Sequence, residues 1–306
     1  LDAVGTSGTF RFLAAVGALV TAAGAWMARE RRLYGLAGGL VVLAVVFPQN
    51  DELWLRLIGN AERATSFVEE DAASVTAFTR RDPSTLTLWI NGRTNSWVPF
   101  GSVHTVLGAL PSVVHKAPRD VAIIGLGSGD TAWAAGVREE TQAVTVFEIA
   151  TSQPRLLARV QELPHLADLR SFLADPRVKI VKDDGRRRLG RDGLKYDVIE
   201  ADAIHPDSGL SGYLYSVEFY ELVARSLKPG GVMCAWAPTA RARNGALQVF
   251  PHAIDFGGLL LLSNEEIPIE SPVWRDRLSS PRFSAYFGEA RLSQIASFVT
   301  QGVKLP

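Results

Sequence analysis

Residues 121–130 read "VAIIGLGSGD". An apolar run stops at Gly125, and Gly127 and Gly129 follow at alternate positions, with Ser128 between them and Asp130 behind. An apolar segment that ends in closely spaced glycines predicts a strand, a tight loop and the start of a helix. Glycine lets the main chain take positive φ and lets a ligand approach the backbone closely. Such a loop can cradle a dinucleotide, a phosphate or a nucleoside, or it can be only a turn.

The spacing narrows the choice. The dinucleotide fingerprint is G-x-G-x-x-G. Here the third glycine comes one position early, and Asp130 stands where that pattern wants glycine. An acid at a helix N-terminus suits the helix dipole but repels a pyrophosphate. A P-loop needs Gly-Lys-Ser/Thr, which does not follow. The G-x-G-x-G loop that remains fits a cationic sulfonium nucleoside of the S-adenosylmethionine class.

Outward from the loop, the pattern from Asp120 alternates between strand and helix. Strands are predicted at 120–125, 143–148, 177–181, 196–201 and 230–236, and helices at 129–139, 152–163, 166–174, 184–190 and 216–228. "LKPGG" at 227–231 stops a helix and starts a strand. This alternation predicts an α/β fold with a mostly parallel, doubly wound sheet. "GGLLLLSNEE" and "RFSAYF" read as added edge strands, and "GEARLSQIASFV" as a final helix. In such sheets ligands bind at the carboxyl ends of the strands, where strand order reverses. "VTVFEIA" ends its strand on Glu148, about 20 residues after the loop, where an acid can accept hydrogen bonds from both ribose hydroxyls. "VKIVKDDGRRRL" places Asp184 before Gly185, just after the third strand, to receive an adenine amino group or to cap the next helix. Arg186–Arg188 read as a solvated helix face.

Before this region, "SFVEED", "ASVTAFTRRD" and "TLTLWINGRTNSW" alternate at period two and predict a small antiparallel sheet, with a hairpin turn at Asn91-Gly92. "GSVHTVLGALPSVVH" (101–115) reads as a helix broken by its proline. The start of the chain is different again. Residues 12–28 and 33–47 carry no charge, and Arg29-Glu30-Arg31-Arg32 lies between them. Gly and Ala at close spacing, with no amphipathic stripe, favour a membrane hairpin over a buried one, although the second segment is short against the ~20 residues a span needs. The expected division is a membrane hairpin over 1–50, a linker and small β-domain with its helix over 51–117, and a Rossmann-like nucleoside-binding domain over 118–306. A start at Leu1 instead of Met fits a piece of a longer membrane protein.

Charge adds mainly exclusions. Lys plus Arg equals Asp plus Glu, 32 each, which gives no support for a nucleic-acid partner. One cysteine, Cys234, rules out a disulfide framework and a Cys-based metal site, and fits a reducing compartment. No metal is expected.

The series "VAIIGLGSGDT", "VTVFEIA", "DPRVKIVKDDGR", "YDVIEADAIHP" and "FYELVARSLKPGGV" resembles the spermidine synthase family, the polyamine aminopropyltransferases. The likeness runs over roughly residues 66–240 and is greatest to bacterial members fused to transmembrane helices. It implies a Rossmann-like class I methyltransferase sheet with a small N-terminal β-domain, decarboxylated S-adenosylmethionine as co-substrate, an amine acceptor and a homodimer. By resemblance, Gly125, Gly127, Ser128 and Gly129 form the nucleoside loop, Glu148 is the ribose acid, and Asp184 with Gly185 is the adenine contact. Asp202 matches the first, catalytic aspartate of the family's D-S-S-D-P motif. The departures fall on the acceptor side. Ser128 replaces the loop aspartate that holds the amine, His205 replaces the second aspartate of D-S-S-D-P, and Val103-His104-Thr105 replaces Tyr-His-Glu.

On this reading Asp202 takes the proton of the attacking amine, with His205 as a second candidate base near neutrality. Asp130 either reaches in for the missing carboxylate or serves only its helix terminus. His104, Tyr213 and Tyr215 are candidates for the acceptor wall. Two other activities stay open: methyl transfer from S-adenosylmethionine, and a non-catalytic nucleoside-binding domain attached to a membrane transporter. The basic loop would be expected in the cytoplasm, in conflict with a cytoplasmic catalytic domain if both segments cross. The cytoplasmic domain is preferred because its nucleoside is there.

Overall fold

The computed structural model describes residues 4–59, 62–201, 205, 208–209, 211–268 and 272–305. It opens with two antiparallel helices, α1 (Gly5–Ala28) and α2 (Arg31–Val46), followed by the short α3 (Asn50–Leu57). Among the described residues α1 alone is long and apolar enough to cross a membrane by itself; α2 and α3 together form a second such stretch, bent by 86°. The segment expected to be linker therefore contains a helix, with Asp51 and Glu52 in its first turn and Arg56 in its last, as the helix dipole favours.

Four strands then form an antiparallel meander: β1 (Phe67–Glu70), β2 (Val75–Asp82), β3 (Thr85–Ile90) and β4 (Arg93–Val98). The turn between β3 and β4 has φ of 50° at Asn91 and 78° at Gly92. Positive φ at both central residues is what a type I′ two-residue hairpin turn requires. Helix α4 (Val103–Val114) follows, its N-terminus capped by Ser102, whose hydroxyl accepts from the His104 amide. Pro111 lies inside α4 without ending it, a correction to the expected break.

The large sheet is built from β5 (Asp120–Ile124), α5 (Asp130–Ala135), β6 (Ala143–Glu148), α6 (Ser152–Val160), α7 (Ala167–Ala174), β7 (Val178–Lys182), α8 (Gly185–Asp192), β8 (Tyr196–Ala201), α9 (Val217–Ser226) and β9 (Leu227–Trp236). It is completed by α10 (Ala240–Leu247), β10 (His252–Phe256), β11 (Leu259–Ser263), α11 (Pro272–Leu278), α12 (Pro281–Val299) and β12 (Val303–Lys304). The strand order is β12-β10-β11-β9-β8-β5-β6-β7. Strands β5 to β9 are parallel, and β11 enters antiparallel between β9 and β10. This is the α/β architecture with a mostly parallel, doubly wound sheet that the strand–helix alternation predicts, and the Rossmann-like sheet that the family resemblance implies. Each strand feeds both layers, because successive side chains point to opposite faces. Val121 and Ile123 join the core under α4, α6, α7 and α12, while Ala122 and Ile124 join the one under α8, α9 and α10.

"RFSAYF" is not an edge strand but the first turns of α12. Ser280 caps it by accepting from the Phe283 amide, and Pro281 opens it, a strong helix start. Phe283 and Phe287, four apart, lie on one buried face, so the aromatic content that suggested a strand serves a helix instead.

Candidate active site

Strand order reverses between β5 and β8, since β5 connects outward through α5 to β6 while β8 returns to the other side of β5. A crevice opens at the carboxyl ends of the strands at such a point. The glycine loop sits there. Gly125, Gly127 and Gly129 have φ of 95°, 52° and 91°, a region closed to most side chains. Gly129 also has no room: a Cβ there would lie 2.7 Å from Cε1 of buried Phe172.

Glu148, at the end of β6, turns back onto the loop. Its Oε2 accepts from the Leu126 amide at 2.9 Å and its Oε1 from the Ala150 amide at 2.8 Å. Burial pushes this carboxyl up, against the lowering effect of the Ala150 and Leu126 amides. Ile149 beside it is exposed to 55 %, an apolar side chain left at the rim. Gln153, absent from the sequence-derived site, is buried and donates from Nε2 to the Gly127 carbonyl at 2.5 Å. It ties the first turn of α6 to the loop, a role that no motif announces.

Ser128 is buried, and its hydroxyl has no hydrogen-bond partner among the described residues. A buried polar group normally has one. An unmatched hydroxyl in a glycine loop at a topological switch point is the feature expected where a ligand supplies the missing partner.

Asp184 is the N-cap of α8: its Oδ1 accepts from the Arg186 amide at 2.9 Å and the Arg187 amide at 3.3 Å. Gly185 is a packing requirement, since a Cβ would lie 3.0 Å from Ile124 Cγ1 and 3.3 Å from Phe147 Cβ. Arg186–Arg188 are more than a solvated face. Arg187 and Arg188 pair with Asp183, while Arg186 donates to the Tyr213 carbonyl at 3.0 Å and lies 5.6 Å from its ring centroid. Tyr213 is thus latched to the Asp184 side of the crevice, with its ring largely exposed. Tyr215 is half-buried just before α9.

Asp130 does not reach toward the loop for a missing carboxylate. It is fully buried, its Oδ2 accepts from the Gly101 and Ser102 amides at 3.3 Å and the Ser102 hydroxyl at 3.1 Å, and its Oδ1 accepts from the Thr105 hydroxyl. Burial raises its carboxyl, opposed by Thr105 and Gly101. Asp130 joins the N-termini of α4 and α5, which corrects its assignment to substrate.

Two histidines hang from successive carbonyls of β4. His104 Nε2 lies 3.2 Å from the Asn95 oxygen and His205 Nε2 lies 3.3 Å from the Thr94 oxygen. A carbonyl only accepts, so each Nε2 carries the proton in these contacts, and the lone pair of neutral His205 is on Nδ1. The His205 ring meets Trp236 edge-on at 5.7 Å. Asp202 lies outside the described residues.

One further contact positions the site. Asp71, in the β1–β2 turn, accepts from the Thr151 hydroxyl at 2.7 Å and the Ser152 amide at 2.6 Å, and from the Ala73 and Ser74 amides at 2.7 and 2.9 Å. Burial alone would raise its carboxyl; these bonds outweigh it and bring it down to about 2. Asp71 fastens the small sheet to the start of α6, immediately after Glu148.

Residues 101–244 match the family described as the spermine/spermidine synthase domain. The chain is 33% identical over 132 residues to polyamine aminopropyltransferase 2 of Pseudomonas aeruginosa, covering 42% of this chain and 36% of that protein. It is 32% identical over 152 residues to polyamine aminopropyltransferase 2 of Hyperthermus butylicus, covering 48% and 46%. The chain thus spans less than half the length of these curated relatives. Its fold is similar to a spermidine synthase solved with the transition-state analogue AdoDATO, with a TM-score of 0.57 and 19% identity over 72% of this chain and 87% of that one. It is also similar to the spermidine synthase of Thermotoga maritima, with a TM-score of 0.55 and 19% identity over 67% and 74%. With the glycine loop, the acid that ends the second parallel strand and the small sheet beside them, these likenesses agree on one conclusion: residues 101–244 form a domain similar to the spermine/spermidine synthase domain.

Proposed function

We propose that the chain is a spermidine-synthase-like transferase that binds decarboxylated S-adenosylmethionine, or S-adenosylmethionine itself, and passes an aminopropyl group to a small amine acceptor in polyamine biosynthesis. The observation that carries this reading is the glycine loop at the switch point, where the buried Ser128 hydroxyl lacks a partner among the described residues and Glu148 accepts from the Leu126 amide of the same loop. The described residues fit a nucleoside. Glu148 offers acceptor oxygens for ribose hydroxyls, exposed Ile149 offers an apolar surface for a base, and Asp184 stands at the head of α8.

In the proposed reaction the amine nitrogen attacks the carbon next to the sulfonium, the C–S bond breaks, and methylthioadenosine leaves. The leaving group is already activated, so positioning supplies much of the rate. The chain must hold the two reactants in line and accept the proton that the nitrogen loses. Asp202 is the expected acceptor of that proton, and Nδ1 of His205 a second one. Methyl transfer is the competing reading, and Ser128 favours it, because a neutral hydroxyl gives an ammonium acceptor no ion pair.

The apolar hairpin anchors the protein to a membrane, with the catalytic domain on the cytoplasmic face where the nucleoside is available. Mass spectrometry of the nucleoside product tests the reaction, using the full chain, both forms of the sulfonium substrate and a panel of amines. Methylthioadenosine that depends on an added amine and is lost in Asp202→Asn establishes aminopropyl transfer. S-adenosylhomocysteine assigns a methyltransferase. Neither product, with nucleoside still bound, removes the enzyme reading.

A further inference from the structure

The hairpin reverses the polarity of a water-soluble helix pair. Between its helices lie small residues: Ala14, Ala18 and Ala25 of α1 and Ala37 of α2 are buried. The large apolar side chains, among them Leu19, Trp26, Met27, Val42 and Val45, point outward and are mostly exposed. Water penalises this arrangement, whereas hydrocarbon accepts it, since close packing of small residues is what holds helices together there.

Charges bound the apolar band at both ends. On α1 the uncharged stretch from Phe12 to Ala28 is 17 residues, and on α2 the stretch from Leu33 to Val46 is 14. At about 1.5 Å per residue these are about 25 and 21 Å long. The shortfall against a hydrocarbon layer of about 30 Å is within what snorkelling arginines and local thinning absorb. Arg11 marks the near end, where it donates to the Phe47 carbonyl at the end of α2. Arg29, Arg31 and Arg32 mark the far end.

The near end is fixed to the catalytic body by Glu70 of β1. Its carboxylate accepts from the Thr6 amide (3.2 and 3.1 Å) and hydroxyl at the start of α1, from the Asn50 side chain at the start of α3, and from Trp54 Nε1 at 3.3 Å. Burial would raise this carboxyl, but these bonds hold it below its ordinary value. With the open end clamped to the small sheet, the Arg29–Arg32 turn is the end remote from the body. Helix α3, bent 86° from α2, runs across the base.

We infer that the hairpin crosses a lipid bilayer twice, with the Arg29–Arg32 turn among the headgroups of one leaflet and the catalytic body against the other, α3 lying in that second interface. This rests on the membrane reading of the hairpin given above, not on the transferase reading. The distribution of basic residues does not oppose it. Arg29, Arg31 and Arg32 flank the spans on one side, and Arg11, Arg56 and Arg63 on the other.

The test uses the full chain expressed in bacterial membranes, with cysteines placed singly at Glu30 in the turn (Glu30→Cys) and at Glu139 on the catalytic body (Glu139→Cys). Both positions are exposed, and the native Cys234 is buried. A membrane-impermeant maleimide is applied to spheroplasts and to inverted vesicles. Crossing predicts that each cysteine labels in one preparation and not in the other, with the pattern reversed between the two. Labelling of both in the same preparation, with the protein retained after carbonate washing, overturns the crossing and leaves the anchor. Release by carbonate overturns both. None of these readouts depends on turnover, so the transferase reading can fail without affecting them.

Discussion

Replacing Ser128 by alanine separates the cost of the buried hydroxyl from its use. The side chain is 2% exposed and its Oγ has no partner among the described residues. Leaving a buried hydroxyl unpaired costs about 1–3 kcal/mol, whereas a satisfied neutral hydrogen bond contributes about 0.5–1.5 kcal/mol net. Ser128→Ala removes one oxygen and no carbon, so little packing is lost. The nucleoside-free protein should therefore become more stable by about 1 kcal/mol, a rise in midpoint of about 1–2 °C for a chain of this size. The bound complex loses a hydrogen bond at the same time, so affinity should fall by roughly 2- to 10-fold. Calorimetric unfolding of the free protein, paired with titration of methylthioadenosine and S-adenosylhomocysteine, reads both quantities. The opposite signs are the discriminating feature. A variant less stable than the parent without nucleoside would mean that the hydroxyl already has a partner in the fold. An unchanged affinity for both nucleosides would mean that Ser128 does not face the ligand, and the central support for the proposed site would fall with it.

Gly129→Ala should destabilise by about 2–5 kcal/mol, combining left-handed strain with overpacking against Phe172; adding Phe172→Leu should recover part of that loss in a double-mutant cycle of urea midpoints. Asp71 has its folded pKa depressed to about 2 from an ordinary 3.8, so its stabilisation is present above about pH 4 and drains away as pH falls toward 2. After discounting for its partly exposed position this amounts to about 1 kcal/mol, and urea unfolding of Asp71→Asn across that range should lack the slope. Asp130 has the opposite sign: its raised pKa means that stability declines as pH climbs from the unfolded value through the folded one. Asp130→Asn, which turns an amide donor toward a nest of donors, should cost about 2–4 kcal/mol by calorimetry near neutral pH. Asp184→Ala should lose about 1 kcal/mol through the α8 cap, while Asp184→Ser keeps the cap; a fall in nucleoside affinity for the serine variant, measured by titration, is expected if the longer carboxylate also reaches the base.

The sequence by itself was enough for whatever depends on local spacing. The strand–loop–helix at 121–130, the acid closing the next strand, the Asn91-Gly92 turn and the uncharged segments around Arg29–Arg32 are patterns over a few residues, set by φ preferences, side-chain alternation and solvation. They sufficed for the fold class and for the family likeness. Local patterns misled where two elements share a composition. "RFSAYF" carries strand-like aromatics, yet Ser280 and Pro281 before it start a helix that buries Phe283 and Phe287.

Tertiary structure decided the partners. Asp130, Asp184 and Glu148 look alike in sequence as acids near loops. Packing made the first a buried joint between α4 and α5, the second a helix cap, and the third a clasp on the Leu126 amide. Gln153 holding the Gly127 carbonyl, Asp71 holding the start of α6, and Glu70 holding the start of the hairpin were invisible because their partners lie 26, 81 and 64 residues away. Hydrogen bonds are made by whatever donors the chain brings within 3 Å, and that proximity is a property of the folded path, with no local signature to read beforehand.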